Sequence, residues 1–222
     1  LSRGPRFRLE AETIRDAALF VSGLLNEKVG GPSVKPYQPS GIWEAVGYTG
    51  SNTANFTQDD GQKLYRRSMY TFWKRTAPPP SMSNFDAPSR ESCTVRRART
   101  NTPMQALTLM NDKQFVEASR HFAQRILREG GTTDDDRLVF AFRLATSRMP
   151  EADELNVIRQ LLQQQRTYFS GKPEAAKALI DSATTQLEPQ HLERDHNRDP
   201  EVAAWTMLAN LLLNLDETIN KS

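Results

Sequence analysis

Signals that start helices dominate the second half of this sequence and constrain its fold more than any other feature. Thr102, Pro103 and Gln105 combine a hydroxyl cap, a proline at the first helical position and the partner needed for a capping box. A helix should therefore begin at Pro103. We expect it to pause at Asn111 and Asp112, which can cap the helix that follows.

The same kinds of signal continue to the end of the chain. They predict helices from Asp112 to the Gly130-Gly131 stop, at residues 134–146, at 151–169, from Pro173 through Leu179, and onward from Asp199. In the last helix five apolar side chains share one side, namely Val202, Trp205, Leu208, Leu212 and Leu215. This helix should lie centrally in the core, and it is too short and too polar to span a membrane. The predicted fold class is mainly α, with a helical bundle-like core.

The first hundred residues contain fewer regular elements. Apolar residues at spacings of three and four predict a helix over residues 9–25, which we expect Gly30 and Gly31 to end. Residues 30–61 are rich in Pro, Gly, Ser and Asn, which predicts either a long ordered loop or a flexible insertion. Residues 64–74 fit a short helix or a strand equally well, so the fold has room for a short β-element.

Three consecutive prolines starting at Pro78 should end that element in extended geometry. We expect one domain over residues 1–222, made of a helix in 1–29, an irregular and basic region in 30–100 and a helical core in 101–222. The chain opens without a methionine and without the apolar block of a signal peptide. The sequence therefore predicts a C-terminal piece of a longer protein.

Charge and cysteine content narrow the possible functions. Residues 62–100 hold nine Lys/Arg and two Asp/Glu, a net charge of +7, whereas the whole chain carries only +2. Cys93 is the single cysteine, which excludes an internal disulfide, a Cys-x-x-Cys-His haem site and a multi-cysteine zinc site. We therefore expect no cofactor in this chain, and we expect Cys93 to be a buried structural thiol.

Several strings resemble the C-terminal domain of planctomycete cytochrome-type proteins, a family classed as a domain of unknown function. The strings are G-G-P-S-V-K-P-Y-Q-P at 30–39, L-Y-R-R-S-M-Y-T-F-W-K-R at 64–75, F-D-A-P at 85–88, R-T-N-T-P-M-Q-A-L-T-L-M-N-D at 99–112 and L-L-N-L-D-E-T at 212–218. The resemblance implies a modular secreted or periplasmic protein, with a c-type haem possible in an upstream domain. It carries no established reaction.

Asp86, in the F-D-A-P string, is the first ligand-binding candidate. It lies in an arginine-rich region in which four arginines are available to pair with it or with a ligand, namely Arg90, Arg96, Arg97 and Arg99. Structural ion pairs and anion sites look alike in sequence, and we favour a structural pair for Asp86.

Trp43 and Trp73 border the irregular regions and are candidate platforms for sugar rings, although we expect most of the aromatic residues there to be core. A stretch in which arginine and tyrosine residues are interleaved also suits single-stranded nucleic acid, but the secreted context argues against that ligand.

Two metal-site hypotheses fail on spacing. His191 and His196 are five residues apart rather than four, so the segment that also holds Glu193, Asp195 and Asp199 is predicted to be a solvated charged loop. Residues 52–61 lack the alternating ligands of an EF-hand loop. We therefore predict no metal site, and no catalytic motif is present.

Two functions remain open. The first is a non-catalytic accessory or interaction domain that presents its loops and its basic segment to an upstream domain, a partner protein or a polyanion. The alternative is an extracytoplasmic domain that binds or processes polysaccharide, either polyanionic or neutral, with Asp86 and its neighbouring arginines at the site.

Overall fold

The computed structural model of the chain describes residues 6–48, 50–183 and 198–221. The α-helices are α1 (Ala11–Ser22), α2 (Pro80–Ser83), α3 (Pro103–Asn111), α4 (Lys113–Glu129), α5 (Asp134–Thr146), α6 (Ala152–Gly171), α7 (Pro173–Ser182), α8 (Asp199–Leu213) and α9 (Asp216–Ile219). The strands are β1 (Phe7–Arg8) and β2 (Asn220–Lys221), which pair antiparallel. The prediction of a mainly α fold is confirmed.

Helix α8 lies at the centre of the core, as predicted. It packs against α4, α6 and α7, and Trp205, Leu208 and Leu212 on it are fully buried. Burial of side chains of this size stabilises the fold by about 1.5 to 3 kcal/mol each. Among the helices within the described ranges, none has the length and apolar character needed to cross a membrane.

The junction between α3 and α4 follows the sequence prediction closely. Thr102 and Gln105 form the capping box of α3, and Pro103 is its first residue. Asp112 ends α3 and caps α4, because its side chain accepts a hydrogen bond from the backbone N–H of Gln114. A single residue therefore ends one helix and starts the next.

Two boundaries in the first hundred residues differ from the prediction. Helix α1 ends at Ser22 rather than before Gly30, because Gly23 adopts φ 78° and closes the helix with left-handed geometry. After the first two prolines the chain does not stay extended, since Pro80 starts the single turn of α2. Proline suits that position because the first helical N–H needs no partner within the helix.

Residues 64–74 form neither of the two expected elements. Two 3-10 turns, Gly61–Tyr65 and Ser68–Tyr70, occupy the segment, and isolated bridges join Asn26 to Arg66 and Val34 to Thr71. The short β-element of the fold lies instead at the two ends of the described chain, where β1 meets β2.

Arg66 holds the glycine-rich start of the long loop. Its guanidinium donates to the carbonyl oxygens of Lys28, Gly30 and Pro32 at 3.1, 2.5 and 2.9 Å and lies 3.8 Å from the ring centre of Tyr70. The loop over residues 28–32 is therefore ordered by one buried cation.

Arg15 is a second buried cation and joins α1 to the irregular region. It is 3% exposed, and its guanidinium donates to the carbonyl oxygens of Leu64 and Arg66 at 2.7 and 2.8 Å. It also donates to Gln114 Oε1 at 2.6 Å and to Ser68 Oγ at 3.0 Å. One side chain on α1 thus satisfies acceptors from two other parts of the chain, residues 64–68 and Gln114.

Candidate functional site

A surface groove in the basic region is the best candidate for a binding site; we call it the Trp73 groove. It has a volume of about 410 Å³ and is lined by residues that include Thr71, Trp73, Arg75 and Arg90. Two of the candidates from the sequence, Trp73 and Arg90, therefore share one site. Thr71 is 3% exposed, and its Oγ1 has no hydrogen-bond partner among the described residues.

Arg90 stacks on Trp73 in this groove. The guanidinium carbon lies 4.5 Å from the ring centre, and Trp73 Nε1 donates to the carbonyl oxygen of Ser89 at 2.8 Å. Arg90 adopts φ 63°, a conformation that is uncommon for a residue with a side chain. The backbone is therefore held in a strained form that places the guanidinium on the indole.

Asp86 fixes the loop that carries Ser89 and Arg90. It also adopts a positive φ, 57°, and its carboxylate accepts hydrogen bonds from Arg8 at 2.6 Å and from the backbone N–H of Thr100 at 2.8 Å. The expected arginines are not its partners: Arg8, which is distant in sequence, forms the ion pair. Asp86 is therefore a positioning residue of the groove rather than one of its lining residues.

The pKa of Asp86 is lowered by this network. Burial opposes ionisation, but the hydrogen bonds from Thr100 and Arg8 and the positive charge of Arg8 outweigh it. Replacing Asp86 by asparagine should reduce the free energy of unfolding by about 1 to 3 kcal/mol at pH 7, as measured by urea denaturation.

The loss should be pH-dependent. A lowered folded pKa stabilises the protein above the unfolded value of about 3.9, so the difference between wild type and variant should shrink as the pH falls below it. Glu91→Gln, on the same loop and exposed, is the matched control. A difference that persists unchanged at low pH would contradict the role given to the Asp86 charge.

The other three candidate arginines lie near this loop but not in the groove lining. Arg97 forms a two-pronged pair with Glu12 at 2.6 and 3.2 Å, which raises the pKa of Arg97. Arg99 lies 4.6 Å from the ring centre of Phe7, and Arg96 is exposed. Arg97 is therefore occupied by a structural pair.

Glu12 shows that Arg90 and Arg97 belong to one electrostatic neighbourhood. Burial opposes ionisation of Glu12, but hydrogen bonds from Arg97 and from the backbone outweigh it, together with the charges of Arg97 and Arg90, so its pKa is lowered. Arg90 and Arg97 therefore both favour the ionised form of Glu12.

The structure corrects the expectation for Trp43 as a sugar platform. Trp43 is 1% exposed and packs against Phe56 and Phe72, with ring centres 5.2 and 5.5 Å apart. Lys74 lies over its ring and donates to the carbonyl oxygens of Trp43 and Thr53. The Trp43 ring is therefore closed to a ligand, because Phe56, Phe72 and Lys74 pack against it.

The expectation of a buried Cys93 is wrong. The thiol is free and exposed, because residues 89–96 lie on the surface without regular structure. The predicted charged loop and its ligands from His191 to His196 lie outside the described residues. Across the part of the chain that the structure describes, no group of three or more His, Cys, Asp and Glu side chains is arranged to hold a metal ion.

A buried carboxylate escaped the sequence reasoning. Glu117 is 0% exposed, and its Oε1 accepts hydrogen bonds from the hydroxyls of Tyr65 at 2.8 Å and Tyr37 at 3.0 Å. Its Oε2 has no partner among the described residues. Burial raises the pKa of Glu117 to about 7, although the two tyrosines and the charges of Lys113 and Arg120 oppose the shift.

The pKa values of the two tyrosines are also raised. Burial, followed by the negative charge of Glu117, raises the pKa of both Tyr37 and Tyr65 far above its usual value. Because Glu117 is fully buried, the cluster of Glu117, Tyr37 and Tyr65 is a structural part of the core and not a surface site.

Arg75 and Arg8 are the other residues that the sequence reasoning missed. Arg75 follows Trp73 by two positions in the basic segment, and this proximity was a usable signal. Arg8 gave no such signal in the sequence, because its partner Asp86 lies 78 residues away. The fold brings such distant residues together, and local spacing does not predict them.

The described residues define a class: a mainly α-helical protein that carries a basic, tryptophan-lined groove on irregular loops. The chain belongs to the PSD1 family, a protein of unknown function (DUF1553), whose family model matches residues 1–162. The matched part includes the Trp73 groove and the loops that support it. No curated protein and no solved structure matches the chain.

Proposed function

We propose that this chain is a non-catalytic binding module that holds an acidic polysaccharide in the Trp73 groove, as an accessory part of a larger secreted or periplasmic protein. One observation carries the proposal. Arg75 and Arg90 line the same groove, and neither forms an ion pair with, or donates a hydrogen bond to, any described residue. Each guanidinium offers five N–H donors suited to carboxylate and sulfate groups.

The state of Trp73 favours an acidic ligand over a neutral one. Arg90 already covers one face of the indole, so a neutral sugar has to displace it before stacking there. That displacement costs about 0.5 to 1 kcal/mol at an exposed site. An acidic sugar can pair with the Arg90 guanidinium without displacing it from the indole.

The wider context also supports this function. Residues 62–100 carry a net charge of +7, which raises the local concentration of polyanions. The resemblance to modular secreted proteins supports a setting outside the cytoplasm, with a c-type haem domain upstream as a further part of the proposal.

Binding of dextran sulfate, polygalacturonate and neutral dextran tests the proposal by titration calorimetry. We expect both acidic polymers to bind and neutral dextran to bind at least tenfold more weakly. Arg75→Ala and Arg90→Ala should each weaken binding by about tenfold or more, because a hydrogen bond to a charged group contributes about 1.5 to 3 kcal/mol. Affinity should fall as salt is raised.

Arg143→Ala is the matched control, since Arg143 is exposed on α5 and its loss removes the same charge outside the groove. It should change affinity less than twofold. Binding that survives the combined Arg75→Ala and Arg90→Ala variant, or that is equally tight for neutral dextran, would overturn the proposal.

A further inference from the structure

A second cavity lies between α5, α6, α8 and α9, and its rim is acidic whereas the Trp73 groove is basic. It has a volume of about 670 Å³, within the range of roughly 300 to 1,000 Å³ that is typical of small-molecule sites. Its walls are apolar and consist of Phe142, Val157, Ile158, Leu211 and Leu215. Val157 and Leu211 are 63% and 40% exposed, so the apolar surface is open to a ligand.

Carboxylates surround this apolar cavity. Asp153 and Glu154 line it from α6, and Asp216 and Glu217 line it from α9. Glu154 and Val157, with their neighbours Asp153 and Ile158, are three to five residues apart on α6, which places acidic and apolar side chains on the same side of the helix. An acidic mouth therefore leads onto an apolar wall.

Arg148 shows how this rim accommodates a cation. Its guanidinium binds both carboxylate oxygens of Glu154 at 2.6 and 2.8 Å and both of Glu217 at 2.7 and 2.8 Å. It also lies 4.9 Å from the ring centre of Phe142. The hydrogen bonds from Arg148 lower the pKa of Glu154 to about 2, so this carboxylate stays ionised.

Charge remains at the rim after this pairing. Asp153 forms no ion pair or hydrogen bond with any described residue. Asp216 pairs with Arg6, and both side chains are more than half exposed, so this ion pair is weak. With four carboxylates and two arginines, the rim has a net charge of −2.

We propose that this cavity binds a small organic cation, an ammonium group carried on an aryl or alkyl body. The body fills the apolar wall formed by Val157, Leu211 and Leu215, and the ammonium meets Asp153 and Asp216 at the mouth. The proposal is independent of the polysaccharide function, because it uses a different surface and the opposite sign of charge.

Three ligands of one shape test it: phenylbutylamine, phenylbutanol and phenylbutyrate, titrated against the full chain and followed by amide chemical shifts in NMR. The amine should bind most tightly, the alcohol up to about fivefold more weakly, as expected for an exposed charge pair, and the carboxylate more weakly again. The shifts should centre on residues 153–158 and 211–217.

Two variants separate the contributions. Asp153→Asn should remove most of the preference for the amine over the alcohol, and Val157→Gln should weaken all three ligands. Glu174→Gln is the control, because Glu174 occupies the same first-turn position on α7 outside the cavity. Equal affinity for the amine and the carboxylate, shifts elsewhere on the protein, or an amine preference that survives Asp153→Asn would overturn the proposal.

Discussion

Replacing Arg15 by methionine is expected to reduce the free energy of unfolding by about 3 to 5 kcal/mol, the largest effect of any single substitution considered for this chain. Methionine fills a similar volume but donates no hydrogen bond. The carbonyl oxygens of Leu64 and Arg66, with Gln114 and Ser68, then lose a shared donor in a buried place. Urea denaturation measures the loss directly.

Arg15→Lys refines this expectation. Lysine keeps the charge but lacks the planar fork, so it should recover only part of the stability. Burial lowers the pKa of Arg15 to about 10, against the opposing charges of Asp16 and Asp112, and the native side chain is therefore still charged at pH 7. Arg143→Ala serves as the exposed control and should change stability by less than about 0.5 kcal/mol. Wild-type stability in Arg15→Met would show that the loops around residues 64–68 do not depend on it.

Glu117 should make the stability of the wild type fall as the pH rises from about 4.5 to about 7. The folded protein holds the Glu117 proton up to a pKa of about 7, whereas the unfolded chain releases it at the ordinary glutamate pKa of 4.5. In this window the folded state binds more protons, so stability is lost with rising pH and is constant above it. The effect amounts to about 2 to 4 kcal/mol, at about 1.4 kcal/mol per pKa unit.

Glu117→Gln isolates this effect from other titrating groups. Glutamine keeps an oxygen that accepts from Tyr37 and Tyr65, but it cannot ionise. The stability of the variant relative to wild type should therefore improve as the pH rises from 5 to 8, measured by urea denaturation at each pH. Glu129→Gln, at an exposed helix end, should show no such trend across this range. A flat difference for Glu117→Gln would place its folded pKa in the ordinary range.

The helical half of the fold was predictable because its signals are local. The capping box at Thr102, the cap at Asp112 and the apolar side of α8 each involve residues within a few turns of one another. Such contacts form in any compact state that buries the same apolar surface, and spacing alone identifies them. The predicted helix boundaries were wrong where a single residue sets the boundary, since Gly23 ends α1 early and Pro80 starts α2.

The irregular half was predictable in composition but not in contacts. The basic character of this region followed from residues 62–100, and Trp73 and Arg90 were both predicted as candidate site residues, whereas the stacking of Arg90 on Trp73 was not predicted. The partner of Asp86, the network of Arg15 and the tyrosines of Glu117 could not be predicted, because each joins residues about 50 to 100 positions apart. Burial of a charge is favourable only where distant partners converge, and one sequence does not reveal that convergence.

The pairing of β1 with β2 brings the two ends of the described chain side by side. Phe7 lies opposite Lys221 and Arg8 opposite Asn220, so the ends are about 5 Å apart across the ladder. Neighbouring ends make a fold modular in the engineering sense. Residues 7–221 can be inserted into a surface turn of a host protein without long connectors, or closed by a short bridge and reopened at another turn as a circular permutant.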